Sequence, residues 1–297
     1  MGVKKRNTMK RRIAITAFVF IAPVIIYNII FRISPIFISL YLSLTEYSGF
    51  KSPTFIGFSN YLRIFSDTDF WGAVLRTLQF SLEVVPLNII LSLLMAILVN
   101  KTIRGIKVFR AIYYLPVITP MVAASMIWLW LYDPQIGAFN SILNFFNLPT
   151  TYFLQDTSTA LHSIAGMRIW RGVGWNMLIY LAGLQGISQN YYEAASIDGA
   201  GKTRCFFSIT LPLLRPVHLY VLVVGMIQTL QTFTEVYVMT NGGPLESTTT
   251  VGLLVYRLAF DYMDMGYASA MSFILGIIIM LLSIISFTWR HTKEAVV

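Results

Sequence analysis

Tyr191 to Pro216 reads YYEAASIDGAGKTRCFFSITLPLLRP. Glu193, Ala194 and Ala195 are strong helix formers, so the stretch opens as a helix. Asp198-Gly199 ends that helix, and Gly199 and Gly201 permit a positive φ or a close backbone approach. A second, amphipathic piece follows, with Phe206, Phe207, Ile209 and Leu211 as its apolar members. Pro212 stands where a long apolar run begins, and proline is tolerated in the first turn of a helix. The spacing predicts a short helix, a tight turn and a second short helix, held in water against a membrane and shaped to dock on something else.

Outward from this stretch the chain is apolar. Of its 297 residues 56% are hydrophobic and 12% charged, about half the charged share of a soluble domain. A membrane-spanning helix needs about 20 mostly apolar residues. Six stretches qualify, at about 13–41, 72–99, 108–131, 160–187, 211–239 and 267–289, with a connecting loop at about 188–212. Several exceed the minimum, so tilt or overhang is expected. Residues 1–12 form a basic N-terminus. The run after it is too long for a secretory signal and lacks a small-residue cleavage site, so an uncleaved first span is expected.

The net charge of +9 is spread in short clusters between apolar runs, which fits the positive-inside rule better than a nucleic-acid partner. With the N-terminus inside, the inner segments hold Lys4, Lys5, Arg6, Lys10, Arg11, Arg12, Lys101, Arg104, Lys107, Arg110, Lys202, Arg204, Arg215, Arg290 and Lys293. That is fifteen of the 22 basic residues. The outer loops hold Asp67, Asp69, Asp133, Asp156, Glu246, Asp261 and Asp264. Both termini are therefore expected in the cytoplasm. The single cysteine, Cys205, excludes a disulfide framework within the chain, and His162, His218 and His291 show no ligand spacing. The segment at 45–71 is expected to be irregular with a short helix near Asn60 to Phe65, and 133–159 to be turns around one short helix.

The run Glu193-Ala194-Ala195, Asp198-Gly199-Ala200, Phe206, Leu211-Pro212 and Pro216 resembles the EAA loop of ABC-importer permeases. The similarity is to the carbohydrate-uptake group that includes maltose, glycerol-phosphate and multiple-sugar permeases, of the first-permease type. FIGFSNYLRIF at Phe55–Phe65, YYLPVITP at Tyr113–Pro120 and TNGGP at Thr240–Pro244 agree, in the same order. The resemblance implies an all-α, polytopic type I importer fold of about six transmembrane helices. It implies a multi-pass protein of the bacterial plasma membrane that binds no cofactor itself. ATP and magnesium would be held by two cytoplasmic ATPase subunits, with a second, different permease chain and an extracellular or periplasmic solute-binding protein as further partners. The EAA loop would be the coupling helix, with Glu193, Ala194, Ala195, Asp198, Gly199 and Ala200 as its contact and hinge positions. Gly201-Lys202-Thr203 looks like the end of a P-loop, but that motif needs a glycine where Ser196 stands and a strand before it. ATP binding by this chain is therefore not expected.

Charged side chains within a span are costly and usually face a cavity or a partner. Arg168, Gly172 and Trp175 share one face of the fourth span. Gln228, Gln231 and Glu235 make a polar stripe on the fifth, Glu83 lies in the second, and Pro116 and Pro120 should bend the third and open its backbone. The resemblance places sugar contacts at Val117, Met121, Arg168, Gly172, Trp175 and Gln231, to which the stripe adds Glu235. Val117 and Met121 are apolar where some relatives are polar, which bears on the substrate rather than on the pathway. Arg171, near an interface, fits snorkelling or pairing with a neighbouring subunit, and Glu83 fits a structural partner for an arginine. An arginine-lined path would also suit an acidic sugar or a phosphorylated polyol. The rival reading is an ion-coupled secondary transporter, which would use intramembrane acids such as Glu83 and Glu235, often in two repeated halves. No repeat is visible, and the docking loop would be unexplained. An intramembrane enzyme would need a metal motif or a Ser–His pair, and His162 and His218 show no partner in the sequence.

Overall fold

The computed structural model describes residues 2–101 and 105–294, and of these the side chains of all but 2–14, 107, 287 and 289–294. Arg104 and the side chains of Lys4, Lys5, Arg6, Lys10, Arg11, Arg12, Lys107, Arg290, His291 and Lys293 lie outside the described residues. The chain is all-α apart from one two-residue antiparallel pairing, Thr45–Glu46 against Thr54–Phe55. It divides into two compact units, Met1–Ser66 with Arg257–Phe273, and Asp67–Tyr256 with Ile274–Val297.

In the first unit, α1 (Gly2–Asn28) and α2 (Ser34–Ser43) are joined by a π-helical turn at Ile29–Ile33. The most apolar 18-residue window of Ile15–Ser43 has no buried residue, as a lipid-facing helix would have. α3 (Ser59–Ser66) follows the β pairing. Buried Asn60 donates to the carbonyls of Ser43 and Thr45, both at 2.9 Å. Arg63 pairs with Asp264 at 2.9 Å and lies 3.8 Å over the Tyr267 ring. The expected short helix near Asn60 is thus tied to the chain 200 residues away.

The second unit is built on α4 (Thr68–Val99) and α8 (Ala160–Gln185), which pack along each other. Asp67 caps α4 by accepting from the amides of Asp69 and Phe70, the usual way a helix start is satisfied. At 32 residues α4 is about 48 Å long, well beyond the hydrocarbon core of about 30 Å, so it overhangs or tilts. Between them in sequence lie α5 (Ile106–Ile118), α6 (Met121–Leu131) and α7 (Ala138–Phe145). α5 and α6 meet at 100°. Pro116 lies inside α5 and Pro120 begins α6, so this bend stands where the prolines predict it. α9 (Gln189–Ile197), α10 (Lys202–Cys205) and α11 (Leu211–Leu213) form an elbow, and a 61° bend leads into α12 (Arg215–Leu230). α13 (Thr234–Met239) and α14 (Val251–Tyr256) follow, and α15 (Met265–Glu294) closes the chain.

Among the described residues, three helices are long and apolar enough to cross a membrane, or up to five if each bent pair is one span. α8 is long enough but less apolar, because it carries Arg168 and Arg171 along with glycines and polar side chains. The fifth predicted span is in three pieces. α12 ends at Leu230, and Phe233 leaves helical geometry at φ −145°, ψ −59°. The stripe Gln228–Gln231–Glu235 therefore does not run down one helix face.

Two apolar cores organise the second unit. One gathers Phe80, Val84, Trp128, Tyr132, Ile164, Met167 and Val236; the other gathers Leu93, Ala96, Met177, Tyr180, Leu181, Leu214 and Val221. On α4 the gap between them runs from Val84 to Leu93, and on α8 from Met167 to Met177. That gap holds Asn88 and Ser92 on α4 and Arg168, Arg171 and Asn176 on α8.

Candidate functional site

The gap holds a cavity of about 190 Å³. α4 contributes Val84, Val85 and Asn88; α8 contributes Arg168, Arg171, Gly172, Trp175 and Asn176; α12 contributes Val221, Gly225, Gln228 and Thr229; and Val117 enters from α5. Close helix approach makes this possible. A Cβ on Gly172 would collide with the Asn88 amide, and one on Gly174 with the Tyr113 carbonyl oxygen. Larger residues there would push α4 and α5 away from α8.

The polar groups form short chains. Asn176 donates to Asn88 Oδ1 at 2.7 Å, and Asn88 donates to the Ile169 carbonyl at 3.2 Å. Thr229 and Ser81 share a hydrogen bond of 2.7 Å. Arg168 donates to Gln228 Oε1 at 3.4 Å and sits 3.6 Å from Glu235 Oε1. Glu235 is 3% exposed, so the pair is buried, and a buried carboxylate is found beside an opposite charge. Arg171 reaches the carbonyls of Val117 and Thr119, both at 3.4 Å. These are acceptors that the Pro120 break releases from the helical ladder. Trp175 stacks loosely on Tyr114, with centroids 6.5 Å apart, and is 45% exposed.

Of the predicted pathway residues, Val117, Arg168, Gly172 and Trp175 come together on the cavity wall. Met121 does not: it packs against the first apolar core. Gln231 is an exposed C-cap of α12 and does not line the cavity either. Glu235 lies behind Arg168 rather than on the wall. Glu83 pairs not with an arginine but with His162, at 2.7 Å, and does not line the cavity. His218 also has a partner, the Tyr180 hydroxyl at 2.7 Å. Sequence reasoning missed Arg171, Asn88 and Asn176 as wall residues. Arg171 follows Arg168 by three residues, a neighbouring position on a helix, and Asn88 is an amide in an apolar run, so both left a signal.

The elbow takes the predicted form of helix, turn and helix. Gly199 has φ +74°. The Ala200 amide donates to the Ala195 carbonyl at 2.8 Å and the Gly199 amide to Ser196 at 3.1 Å. This is the paired closure of a Schellman motif, with glycine in the left-handed position. Tyr192 and Thr210 then bond through their hydroxyls at 2.9 Å, fixing the second arm against the first. Glu193, Ala194, Asp198 and Gly199 are exposed, and Ala195 and Ala200 half-buried. Gly201 precedes α10 and Lys202-Thr203 begin it, and the helix α9 comes before them, not the strand that a P-loop requires.

A polytopic helical chain with a half-polar cavity and an exposed, rigid elbow defines the class: a membrane permease. Residues 88–291 match the family described as "Binding-protein-dependent transport system inner membrane component", and the chain belongs to that family. It is a multi-pass membrane component, and in such importers ATP hydrolysis lies in separate subunits. The chain is 35% identical over 299 residues to the "Probable ABC transporter permease protein YesP" of Bacillus subtilis, covering 98% of this chain and 96% of that one. It is 34% identical to the "Trehalose/maltose transport system permease protein MalF" of Thermococcus litoralis, covering 94% and 95%. It is 31% identical to the "sn-glycerol-3-phosphate transport system permease protein UgpA" of Escherichia coli, covering 93% and 94%. A chain from the crystal structure of a bacterial alginate ABC transporter, bound to its periplasmic protein, shares the fold at a TM-score of 0.81. That similarity covers 94% of both chains at 22% identity.

Proposed function

We propose that this chain forms half of the translocation pathway of an ATP-driven importer of sugars or related polyols. The observation that carries the reading is the cavity in which Arg168, Gly172, Trp175 and Gln228 converge between two apolar cores. An aromatic face beside amide and guanidinium donors suits a sugar ring and its hydroxyls. Relatives named for trehalose or maltose and for glycerol phosphate support the substrate class. At about 190 Å³ the cavity is smaller than the roughly 300–1,000 Å³ of complete ligand sites. That size fits a wall completed by a second, different permease subunit.

The exposed elbow at Glu193–Ala200 serves as the coupling element. It docks on one of two cytoplasmic ATPase subunits, which hold ATP and magnesium, while a solute-binding protein delivers substrate to the outer face. Both termini lie in the cytoplasm. Closure of the ATPases moves the elbow and shifts the population between inward- and outward-open states.

The test is capture of the tagged chain from its native membranes, followed by mass spectrometry and uptake assays. Co-purification of a Walker-motif ATPase and a second permease, with the ATPase lost in Gly199→Leu, is the expected result. Recovery of the chain alone, with uptake surviving ATP depletion, would favour an ion-coupled transporter.

A further inference from the structure

We infer that the cavity selects a substrate carrying one anionic group, a carboxylate or a phosphate, and that Arg171 is the residue that receives it. The inference rests on the importer reading above and deepens it by naming the substrate's charge. Two cations line the cavity, Arg168 and Arg171, and no acid does. The nearest carboxylate, Glu235, stands behind Arg168 at 3.6 Å. Arg168 is thereby neutralised, and its remaining contact is the neutral Gln228 amide.

Arg171 makes no such ion pair. Among the described residues no carboxylate approaches it within ion-pair distance. Among the described residues its hydrogen bonds are the two long ones to Val117 and Thr119, and its Nε–H is buried with no acceptor. A cation held at membrane depth by two weak neutral contacts is expensive, and an anion that enters the cavity removes that cost. The guanidinium fork suits a carboxylate or a phosphate equally, since both take paired hydrogen bonds from it. The same wall offers Trp175 for a ring face and the Asn176 side-chain amide for a hydroxyl. An anionic sugar or polyol matches these groups together. A neutral one leaves Arg171 unmatched.

Arg171 also caps the end of α5, so a bare loss of function would be ambiguous. Arg171→Gln separates the two roles, because glutamine still donates to the carbonyls but carries no charge. Glu235→Gln provides the opposite change: it releases Arg168 and adds a second free cation. The assay is ligand-dependent thermal stabilisation of the solubilised permease assembly, with its sister subunit and ATPase present. The probes are galacturonate against galactose and glycerol 3-phosphate against glycerol. The pairs separate carboxylate from phosphate recognition.

The expected result is binding of at least one anionic probe about tenfold or more tighter than its neutral counterpart. Arg171→Gln should erase the difference and Glu235→Gln should widen it. Neutral probes binding as tightly as anionic ones, or a preference unchanged in Arg171→Gln, would overturn the inference. ATP hydrolysis that still responds to the binding protein, without any anionic preference, would sink the inference and leave the importer reading standing. Hydrolysis that responds to no solute or binding protein would sink both.

Discussion

The elbow and the cavity are built by opposite means. The elbow, Ser188 to Leu213, is local: each bond that shapes its turn joins residues within five positions, such as Ala200 to Ala195. The cavity is assembled from residues up to 148 positions apart, Asn88 with Asn176, Arg168 with Glu235, and Ser81 with Thr229. A local device needs only the right backbone preferences in order. A long-range one depends on how closely whole helices approach, and therefore on small residues and paired charges.

This contrast sets where damage should be greatest. Glu235→Ala leaves Arg168 inside the protein with only a long amide contact. Breaking a buried pair costs about 3–5 kcal/mol, and here somewhat less, because Arg168 borders the cavity. Thermal unfolding in detergent should show the loss, and a melting point unchanged from the parent would mean the pair does not organise the cavity. Gly174→Ala comes next. Its methyl meets the Tyr113 carbonyl, and overpacking of this kind costs about 1–3 kcal/mol. Solvent access to a cysteine probe at Val117 should rise as α5 moves away from α8.

In the elbow, Gly199→Ala should cost about 1–2 kcal/mol through backbone strain alone, since an added Cβ there touches nothing within 4 Å. Its effect should fall on ATPase coupling and leave the melting point of the cavity helices nearly untouched. A large drop in global stability would show that the elbow is not the independent unit described here.

The smallest effect concerns the loop acids. Asp133 is held below the usual carboxylate range, first by the Ile136 amide and then by that of Gln135; Asp156 is held low by the Ser158 hydroxyl and amide. A depressed pKa means that the ionised form stabilises these turns. The contribution is full above about pH 4 and is lost as pH falls through the lowered value. Amide exchange at Gln135, Ile136 and Ser158 should accelerate on acidification, and Asp133→Asn and Asp156→Asn should blunt the change.

The residues themselves determined much of this protein. Apolar runs of about 20 residues separated by basic clusters specify a polytopic helical chain, because a helix of that length spans the bilayer and satisfies its backbone within its own segment. Asp198-Gly199 specifies the elbow's turn, because glycine alone enters the left-handed region without strain. Pro116 and Pro120 locate the bend between α5 and α6 for an equally local reason. Other features were decided only by the tertiary structure. The break after Leu230 carries no proline, so Gln231 and Glu235 looked like the continuation of a stripe that the chain interrupts. Met121 was drawn into an apolar core, and Glu83 found His162 on the neighbouring helix instead of an arginine. Most of all, the packing assigned Glu235 to Arg168 and left Arg171 facing the cavity. The two arginines are alike in sequence, and only the position of a carboxylate some 65 residues away distinguishes them.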